Sequence, residues 1–318
     1  FVYCVKIDKR MKTNRNNSII PPSLKAGDAI EIVASAKFIS EIDLSNVINF
    51  FKQHNLHIKF NNEIFYQQNV FAGTIEQRIK NINFALEDTQ TKAILFARGG
   101  YGSIQIIDHV DFNKLSKNPK WLIGFSDLTM ILMHLYSKFN ISSIHGPMAY
   151  SFKNIDHNSA NLMIDLLKGK KTSINVKHSE FNIEGTTYGK LIGGNLSIIC
   201  SLMGSESMLS FDEDYILFIE EVDEYLYHLE RMIYMLDRAG VLIKIKGLVI
   251  GQMTGIMDND ISFGKTPFQL IVDVIKKYNY PVCFNFPIGH EKKNHPIIIG
   301  SKIKLEVTDL YSQIHYEQ

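Results

Sequence analysis

The chain has 318 residues, of which 45% are hydrophobic and 21% are charged, so its composition is that of a globular protein large enough for two domains. Its formal net charge of +1 argues against a nucleic-acid-binding surface, and no apolar run reaches the ~20 residues that a membrane span needs. The three cysteines, Cys4, Cys200 and Cys283, are odd in number and far apart, so they predict neither a disulfide framework nor a metal site and indicate a reducing compartment.

The chain begins with a polar lead-in. Its first ten residues lack the apolar core and the cleavage site of a signal peptide, and Met11 is a candidate start. Strand-length apolar segments then alternate with segments of helical periodicity, which indicates βαβ units and a mostly parallel sheet. The predicted strands are residues 29–34, 57–60, 93–97 and 121–125, and the predicted helices are residues 41–54, 74–86, 128–139 and 158–167.

The pattern changes after about residue 150. Residues 168–189 are polar and irregular, which predicts a linker, and the chain from Lys190 onwards consists mainly of strand-like segments and loops. The strand-like segments are KLIGG, YILFIEE, KGLVIG and PIIIGSKIKLEV, and the predicted helices lie near residues 195–203, 224–239 and 267–278. We therefore expect a second domain of mixed or mainly β structure.

The stretch WLIGFSDLTMILMHLYSKF, residues 121–139, places a serine at a sharp strand-to-helix turn. In a nucleophile elbow such a turn exposes the serine hydroxyl beside the backbone N–H groups of a helix N-terminus. The familiar elbow pattern is G-x-S-x-G, but here Asp127 and Leu128 follow Ser126. The alternative is an ordinary turn in which Ser126 or Asp127 only caps the helix.

A serine nucleophile needs a base, and the base needs an acceptor that orients it. Among the 11 histidines, His290 is the preferred candidate because it follows an apolar segment and lies on a loop before a strand; His145 and His295 are its competitors. The preferred acid is Glu220, at the carboxyl end of an apolar strand. Glu221 would point the opposite way, since side chains alternate along a strand, and a solvated acidic turn is the alternative for both.

Two backbone donors are needed to stabilise an oxyanion. The N–H of Asp127 is one candidate, and the glycine turn ARGGYGS, residues 97–103, can supply the other. A phosphate-binding loop is the alternative for this turn. The sequence matches neither G-x-G-x-x-G nor the Walker A pattern, so it is poor evidence for a dinucleotide site.

Seven blocks in one order resemble the serine LD-carboxypeptidases, the muramoyl-tetrapeptide carboxypeptidase family, which also contains the microcin-immunity amidases. The resemblance extends from about Pro21 to the end of the chain, and the lead-in PPSLKAGDAIEIVAS is similar as well. The blocks are RGGYGS, WLIGFSDLT, IHGPM, GKLIGGNLSII, ILFIEEV with YHLERM, AGVLIKIKGLVIG and GHEKKNHPIIIG. The segment Ala34-Ser35-Ala36 departs from the proline-serine that the family has after its first strand.

The resemblance implies an α/β fold in two parts. A flavodoxin- or Rossmann-like parallel-sheet nucleophile domain would cover residues 21–168, and a β-rich, swivelling β-barrel-like domain would cover residues 189–318. Residues 1–20 would be an N-terminal extension, and residues 169–188 a linker. The second domain would supply the acid and the base of the site.

The resemblance also implies a function and its residues. The triad would be Ser126, His290 and Glu220, and the oxyanion donors would be the backbone N–H groups of Gly100 and Asp127. The reaction would be hydrolysis, without metal or cofactor, of the amide between an L-centre and the terminal D-alanine of murein tetrapeptides during peptidoglycan recycling in the cytoplasm.

Substrate contacts and partners are less constrained. Arg98, Tyr101 and Arg231 are the predicted substrate contacts. The expected partner is a murein tetrapeptide, with no nucleic acid and no membrane, and the sequence is compatible with a homodimer. A microcin-immunity-type amidase that acts on acyl-aminoacyl nucleotides is the alternative function, and a catalytically silent binding protein is a third reading.

Overall fold

The computed structural model describes residues 18–317. Cys4, the candidate start Met11 and most of the predicted extension 1–20 therefore lie outside the described residues. Cys200 and Cys283 are both buried free thiols, and burial raises the pKa of each to about 12. No helix within the described part is long and apolar enough to cross a membrane.

Up to residue 167 the chain alternates strands and helices, as the sequence predicts. The elements are β1 (Ala29–Val33), α1 (Glu41–Gln53), β2 (His57–Phe60), α2 (Ile75–Glu87), β3 (Thr91–Phe96), β4 (Trp121–Gly124), α3 (Thr129–Phe139), β5 (Ser143–His145) and α4 (His157–Leu167). Two short 3₁₀ segments, Ser103–Gln105 and Phe112–Ser116, join β3 to β4 in place of an α-helix. Another, Ser126–Leu128, separates β4 from α3, and Ala149–Lys153 follows β5.

The remainder of the chain is rich in strands, with three further helices. The elements are β6 (Ile174–Lys177), β7 (Gly185–Asn195), α5 (Leu196–Leu202), β8 (Tyr215–Val222), α6 (Leu226–Arg238), β9 (Gly247–Thr254), α7 (Pro267–Ile275), β10 (Val282–Cys283), β11 (Ile297–Ile299), β12 (Lys302–Val307) and β13 (Tyr311–Tyr316).

Several helices begin where a capping side chain satisfies the free N–H groups of the first turn. Thr74 accepts a hydrogen bond from the Gln77 N–H while the Gln77 side chain accepts one from the Thr74 N–H, and Thr266 and Gln269 repeat this arrangement at α7. Ser40 caps α1 in a similar way. The local sequence therefore determines these helix starts.

The first sheet has the order β11-β5-β4-β3-β1-β2. Strands β1 to β5 are parallel, which confirms the predicted parallel sheet, and β11 pairs antiparallel with β5 at one edge. Residues 297–299 were predicted in the second domain, but they lie in the first sheet. The chain thus returns to its first sheet immediately after the loop that carries His290.

The second sheet has the order β10-β9-β8-β7-β12-β13-β6. Its strands β7 to β10 are parallel, whereas β12, β13 and β6 are antiparallel to their neighbours. A bridge between Ile183 and Val282 links the connection from β6 to β7 with the edge strand β10. The irregular structure predicted for residues 168–189 is wrong in part, since residues 174–177 form β6 and β7 begins at Gly185.

Helix α3 lies between the two sheets. Its residues from Thr129 to Ser137 are buried, and it contacts β4, β5 and β11 as well as β7 and α5. A helix that is apolar nearly all round belongs in a core, which explains the run TMILMHLY. Because α3 follows directly after the turn at Ser126, that serine is anchored to both layers.

Candidate active site

The turn after β4 holds Ser126 in a strained backbone conformation. Its φ is +63°, in the left-handed region that non-glycine residues seldom occupy, as in a nucleophile elbow. Neither Ser126 nor Asp127 caps α3, because the N-cap position is Leu128, which makes no side-chain capping bond. The helix begins one residue later than predicted, after the 3₁₀ turn. The strain marks Ser126 as a candidate functional residue.

The glycine turn lies directly beside Ser126. A Cβ added to Gly99 would be 3.4 Å from the Ser126 Oγ, and Gly100 has a φ of +115°, which L-residues rarely adopt. The buried carboxylate of Asp127 accepts a hydrogen bond of 2.9 Å from the Ser103 N–H. This carboxylate therefore ties the glycine turn to the serine turn, where two backbone donors are expected.

A buried arginine that the sequence reading missed also holds the glycine turn. Arg78, on α2, donates to the carbonyl oxygens of Ser35 at 2.7 Å and Gly102 at 3.2 Å, and to the Gln105 side chain at 2.7 Å. Arg78 is 2% exposed. The only signal in the sequence is an arginine on the face of α2 that also carries Ile82, and charged residues are rarely fully buried without partners.

His290 and Glu220 form a hydrogen-bonded pair. The His290 Nδ1 donates to the Glu220 Oε2 at 2.8 Å. Glu220 is fully buried, whereas the His290 side chain is 17% exposed and lines the same cavity as Ser126. With Nδ1–H given to the carboxylate, Nε2 is left with the lone pair that a general base needs.

The pair changes the proton affinity of the histidine. Burial by itself lowers the pKa of His290, but the hydrogen bond to Glu220 and the charges of Glu220, Glu221 and Asp223 outweigh it, so the pKa of His290 lies above its ordinary value. The positive charge that His290 would acquire in a proton transfer is thus stabilised by neighbouring carboxylates.

Glu221 faces away from this pair, as the alternation along β8 predicts. Its carboxylate accepts hydrogen bonds from the Asn195 side chain at 2.8 Å, from the Ser197 N–H at 2.7 Å and from the Val222 N–H at 2.9 Å. Glu221 therefore supports the junction between β7 and α5, and it makes no hydrogen bond to His290.

The loop that carries His290 is held by two residues that the sequence reading missed. The Gln252 side chain accepts from the Glu291 N–H at 2.9 Å and donates to the Lys293 carbonyl at 2.7 Å. The Asn294 side chain accepts from the Gly289 N–H at 3.2 Å. A Cβ on Gly289, whose φ is +139°, would lie 2.9 Å from the Gln252 Cβ, so this tight loop requires glycine there.

The two competing histidines do not line the cavity. His145 is fully buried, and His295 is 5% exposed and lies 3.3 Å from the Asn158 side chain through its Nε2. Burial lowers the pKa of both to about 4. Neither imidazole can meet a substrate from its position.

The cavity has a volume of about 540 Å³ and is lined by residues from both halves of the chain. Of the predicted site residues, Arg98, Gly100, Ser126 and His290 lie in its wall. Glu220 and Asp127 lie behind the wall, and Tyr101 and Arg231 are not among its described lining residues. Arg231 instead lies over the Tyr227 ring at 5.3 Å, and Tyr101 is 54% exposed near Phe71.

Four cations surround the cavity: Lys37, Arg98, Lys153 and Lys292, which we call the basic rim. None of them forms an ion pair with another residue between 18 and 317. Unpaired cations around a concave site favour an anionic ligand. Asp223 and Glu291 are the carboxylates in the described lining.

Of the four cations in the basic rim, Arg98 was predicted from the sequence and the three lysines were not. The Arg98 guanidinium lies 4.0 Å and the Lys153 ammonium 3.6 Å from the centroid of the Tyr150 ring, as cation–π contacts. Tyr150 and Lys153 belong to the 3₁₀ turn after β5, at the sheet edge where ligands bind. The rule that ligands bind beyond the carboxyl ends of parallel strands could therefore have identified these two residues from the sequence. Lys37 lies against Gly100, on the loop after β1 that departs from the family pattern.

No cluster of three or more histidine, cysteine, aspartate or glutamate side chains suited to a metal ion occurs between residues 18 and 317. The expectation of a reaction without metal or cofactor stays a prediction. The groups brought together at the cavity are a strained serine, a histidine–carboxylate pair and unpaired cations, and this set suits nucleophilic acyl transfer.

Both halves of the chain match one protein family. The LD-carboxypeptidase N-terminal domain matches residues 30–146, and the LD-carboxypeptidase C-terminal domain matches residues 188–305. The structure superimposes on muramoyltetrapeptide carboxypeptidase from Oxalobacter formigenes with a TM-score of 0.84 and 26% identity, over 91% of this chain and 99% of that chain.

Two curated relatives carry different names. Murein tetrapeptide carboxypeptidase of Pseudomonas aeruginosa is 24% identical over 288 residues, which are 87% of this chain and 92% of that protein. The microcin C7 self-immunity protein MccF of Escherichia coli is 23% identical over 269 residues, which are 74% of this chain and 77% of that protein. The identities are nearly equal, so they do not separate the two kinds of relative.

The two neighbouring glutamates should behave differently when each is replaced by glutamine. Glu220→Gln removes the negative charge that orients His290, so labelling of Ser126 by a serine-directed fluorophosphonate should slow by about 10²-fold or more. Glu221→Gln should label at nearly the normal rate but unfold about 1–3 kcal/mol more easily, because an amide cannot accept from three donors as a carboxylate does. Labelling kinetics and thermal unfolding measure the two effects, and the opposite ranking in labelling would refute the assignment.

The labelling rate should also depend on pH in a defined direction. Only neutral His290 can accept the serine proton, and its pKa is raised, so the rate should fall with decreasing pH around a midpoint above 6.5. Glu220→Gln should move this midpoint to lower pH, because the main group that raises the pKa loses its charge. A midpoint at or below 6.5 in the unmodified protein would contradict the pairing.

Proposed function

Because the chain belongs to the LD-carboxypeptidase family, we propose that it is a serine LD-carboxypeptidase that hydrolyses the amide between the L-centre of the diamino acid and the terminal D-alanine of murein tetrapeptides. The observation that carries the proposal is that strained Ser126 and Glu220-paired His290 line one cavity. A cytoplasmic role in peptidoglycan recycling stays a prediction.

In the proposed mechanism Ser126 attacks the scissile carbonyl while the His290 Nε2 takes its proton. His290 then gives that proton to the departing amino group of D-alanine, and a water molecule hydrolyses the acyl-enzyme by the same steps. Glu220 holds His290 in the tautomer with hydrogen on Nδ1 and stabilises the imidazolium. A buried partner of this kind typically contributes several orders of magnitude to the rate.

We assign the oxyanion donors to the backbone N–H groups of Gly100 and Asp127. The contact of Gly99 with Ser126 and the bond from Ser103 to Asp127 support this assignment, because they keep the two turns adjacent before the substrate arrives. Donors that are preorganised in this way need no reorganisation in the transition state, and loss of one such donor typically costs about 10²–10³ in rate.

The basic rim supports a peptide substrate with free carboxylates. A carboxypeptidase must recognise the terminal carboxylate of its substrate, and Arg98 has the planar guanidinium that binds carboxylates in a bidentate manner. Arg98 stacks on the Tyr150 ring and both residues line the cavity, so the contact restrains the guanidinium at the cavity wall. Of the three predicted substrate contacts we therefore retain Arg98 and give less weight to Tyr101 and Arg231.

The alternative, an amidase acting on acyl-aminoacyl nucleotides, needs an aromatic surface for the base. The aromatic residues in the described cavity lining are Phe125 and Tyr150. Tyr150 already carries two cations, and the Phe125 ring packs against His290 at 4.9 Å. Because both rings already make these contacts, they are less suited to stack on a nucleotide base, which favours the peptide substrate. A nucleotide phosphate would also suit the basic rim.

Three substrates compared under one condition test the proposed function. We expect fastest hydrolysis of the L–D tetrapeptide, with loss of one alanine in the mass spectrum. The all-L isomer should be hydrolysed much more slowly, because its scissile carbonyl would be displaced from Ser126. Ser126→Ala should be folded and reduce turnover by about 10⁴-fold or more. Fastest cleavage of an acyl-adenylate mimic would instead assign the self-immunity activity, and equal cleavage of the two peptides would remove the LD specificity.

Recognition of the terminal carboxylate gives a separate prediction for Arg98. Arg98→Gln should raise the KM for the tetrapeptide about tenfold or more, as expected for loss of a charge-assisted hydrogen bond. The same change should have little effect on the C-terminal amide of that peptide, which is already a poor substrate. Lys244→Gln, at an exposed lysine away from the cavity lining, is the matched control. Equal losses on acid and amide would show that Arg98 only supports the fold.

A further inference from the structure

A histidine that the mechanism above does not use lies fully buried beside the triad. His145 has no solvent exposure, and neither of its ring nitrogens has a hydrogen-bond partner among residues 18–317. Glu220 lacks a hydrogen-bond donor at one oxygen: its Oε2 is bonded to His290, but its Oε1 is buried without a partner. Buried polar atoms are rarely left unpaired, so two such groups in one region require an explanation.

The two groups belong to facing elements. His145 is the last residue of β5 in the first sheet, and its ring lies 5.0 Å from the Phe218 ring on β8 in the second sheet. Phe218 and Glu220 point to the same side of β8, since residues i and i+2 share a face. The His145 ring is also 6.0 Å from that of Phe125, which packs against His290.

The chemistry of the two groups is complementary. Burial lowers the pKa of His145 to about 4, with Glu220 raising it and His290 lowering it further, so the ring is neutral and carries one N–H donor. Ionised Glu220 can only accept hydrogen bonds. Glu220 and His290 are the titratable groups whose charges act on His145, and the charges of Glu221 and Asp223 also act on His290.

We propose that His145 is a positioning residue that donates a ring N–H to the Oε1 of Glu220 through one buried water molecule. The donor fixes the carboxylate so that Oε2 faces the His290 Nδ1, which extends the triad to Ser126–His290–Glu220–His145. No proton leaves His145 in this arrangement. The inference rests on the triad of the proposed function and does not depend on which amide is hydrolysed.

A donor to Glu220 has a consequence for the titration of the pair. It stabilises the state in which Glu220 is ionised and His290 is neutral more than the state in which the pair has gained a proton, because the proton reduces the negative charge that the donor meets. Removal of the donor should therefore raise the pH midpoint below which activity is lost. A role in packing alone would lower stability without moving this midpoint.

The test replaces His145 by Phe, which keeps the ring volume without a donor, and by Gln, which keeps an N–H. We expect His145→Phe to slow fluorophosphonate labelling of Ser126 at the optimal pH about tenfold to a hundredfold and to raise the midpoint, and His145→Gln to restore the midpoint. His134→Phe is the matched control, since His134 is also buried with a pKa of about 4 but bonds to Ser207 instead.

A double-mutant cycle keeps the test decisive if the Phe variant loses stability. In a Glu220→Gln background, His145→Phe should leave the midpoint unchanged, because the carboxylate that it serves is gone. An unchanged midpoint in His145→Phe alone, or equal shifts in the Phe and Gln variants, would overturn the proposal. If the midpoint moves as expected but the tetrapeptide is not cleaved, the role of His145 stands and the proposed substrate falls.

Discussion

The Glu220–His290 hydrogen bond is the interaction on which the arrangement of the site depends. A fully buried carboxylate is costly unless its charge is compensated, and here the compensating partner comes from a distant part of the chain. Glu220 lies two residues before the end of β8 in the second sheet, whereas His290 lies on the loop that leads back to β11 in the first sheet. The bond therefore connects the two sheets at the same point where it orients the His290 ring.

The remaining groups are brought to this point by strand ends. In a parallel sheet the carboxyl ends of the strands share one edge, and the glycine turn and Ser126 follow β3 and β4 there. Buried helix α3 holds the serine turn against both layers, Asp127 ties the glycine turn to the serine turn, and Arg78 ties the glycine turn to the loop after β1. The glycine turn and the serine turn are thus held in place by buried polar side chains that hydrogen-bond to the glycine turn, in addition to their own backbone conformations.

Local patterns identified candidates at the strand ends, whereas residues defined by long-range pairing were missed. A strand, a turn and an apolar helix in succession placed Ser126 at a turn, and the family resemblance favoured a nucleophile over a helix cap. Alternation along one strand separated Glu220 from Glu221, and the resemblance selected Glu220. His290 needed the family resemblance as well, because a loop histidine has no local signature. Strand β6 is short and pairs with a partner far away in the chain, so its periodicity was too brief to detect. Strand β11 was predicted as a strand, but its pairing with distant β5 in the first sheet was not. Gln252 and the lysines of the basic rim are polar residues whose role appears only when distant parts of the chain meet.

The adjacent carboxylates of β8 show how one strand serves two purposes. Glu220 points to the cavity side and holds the base, while Glu221 points to the helix side and satisfies donors at the start of α5. Both are buried, and burial raises the pKa of Glu221, so Glu221 depends on its hydrogen bonds to remain ionised. The charge of Glu221 also favours the protonated form of His290 without a direct contact. A substitution that removes the charge of Glu221 would therefore lower the pKa of His290, even though the hydrogen bond between Glu220 and His290 stayed intact.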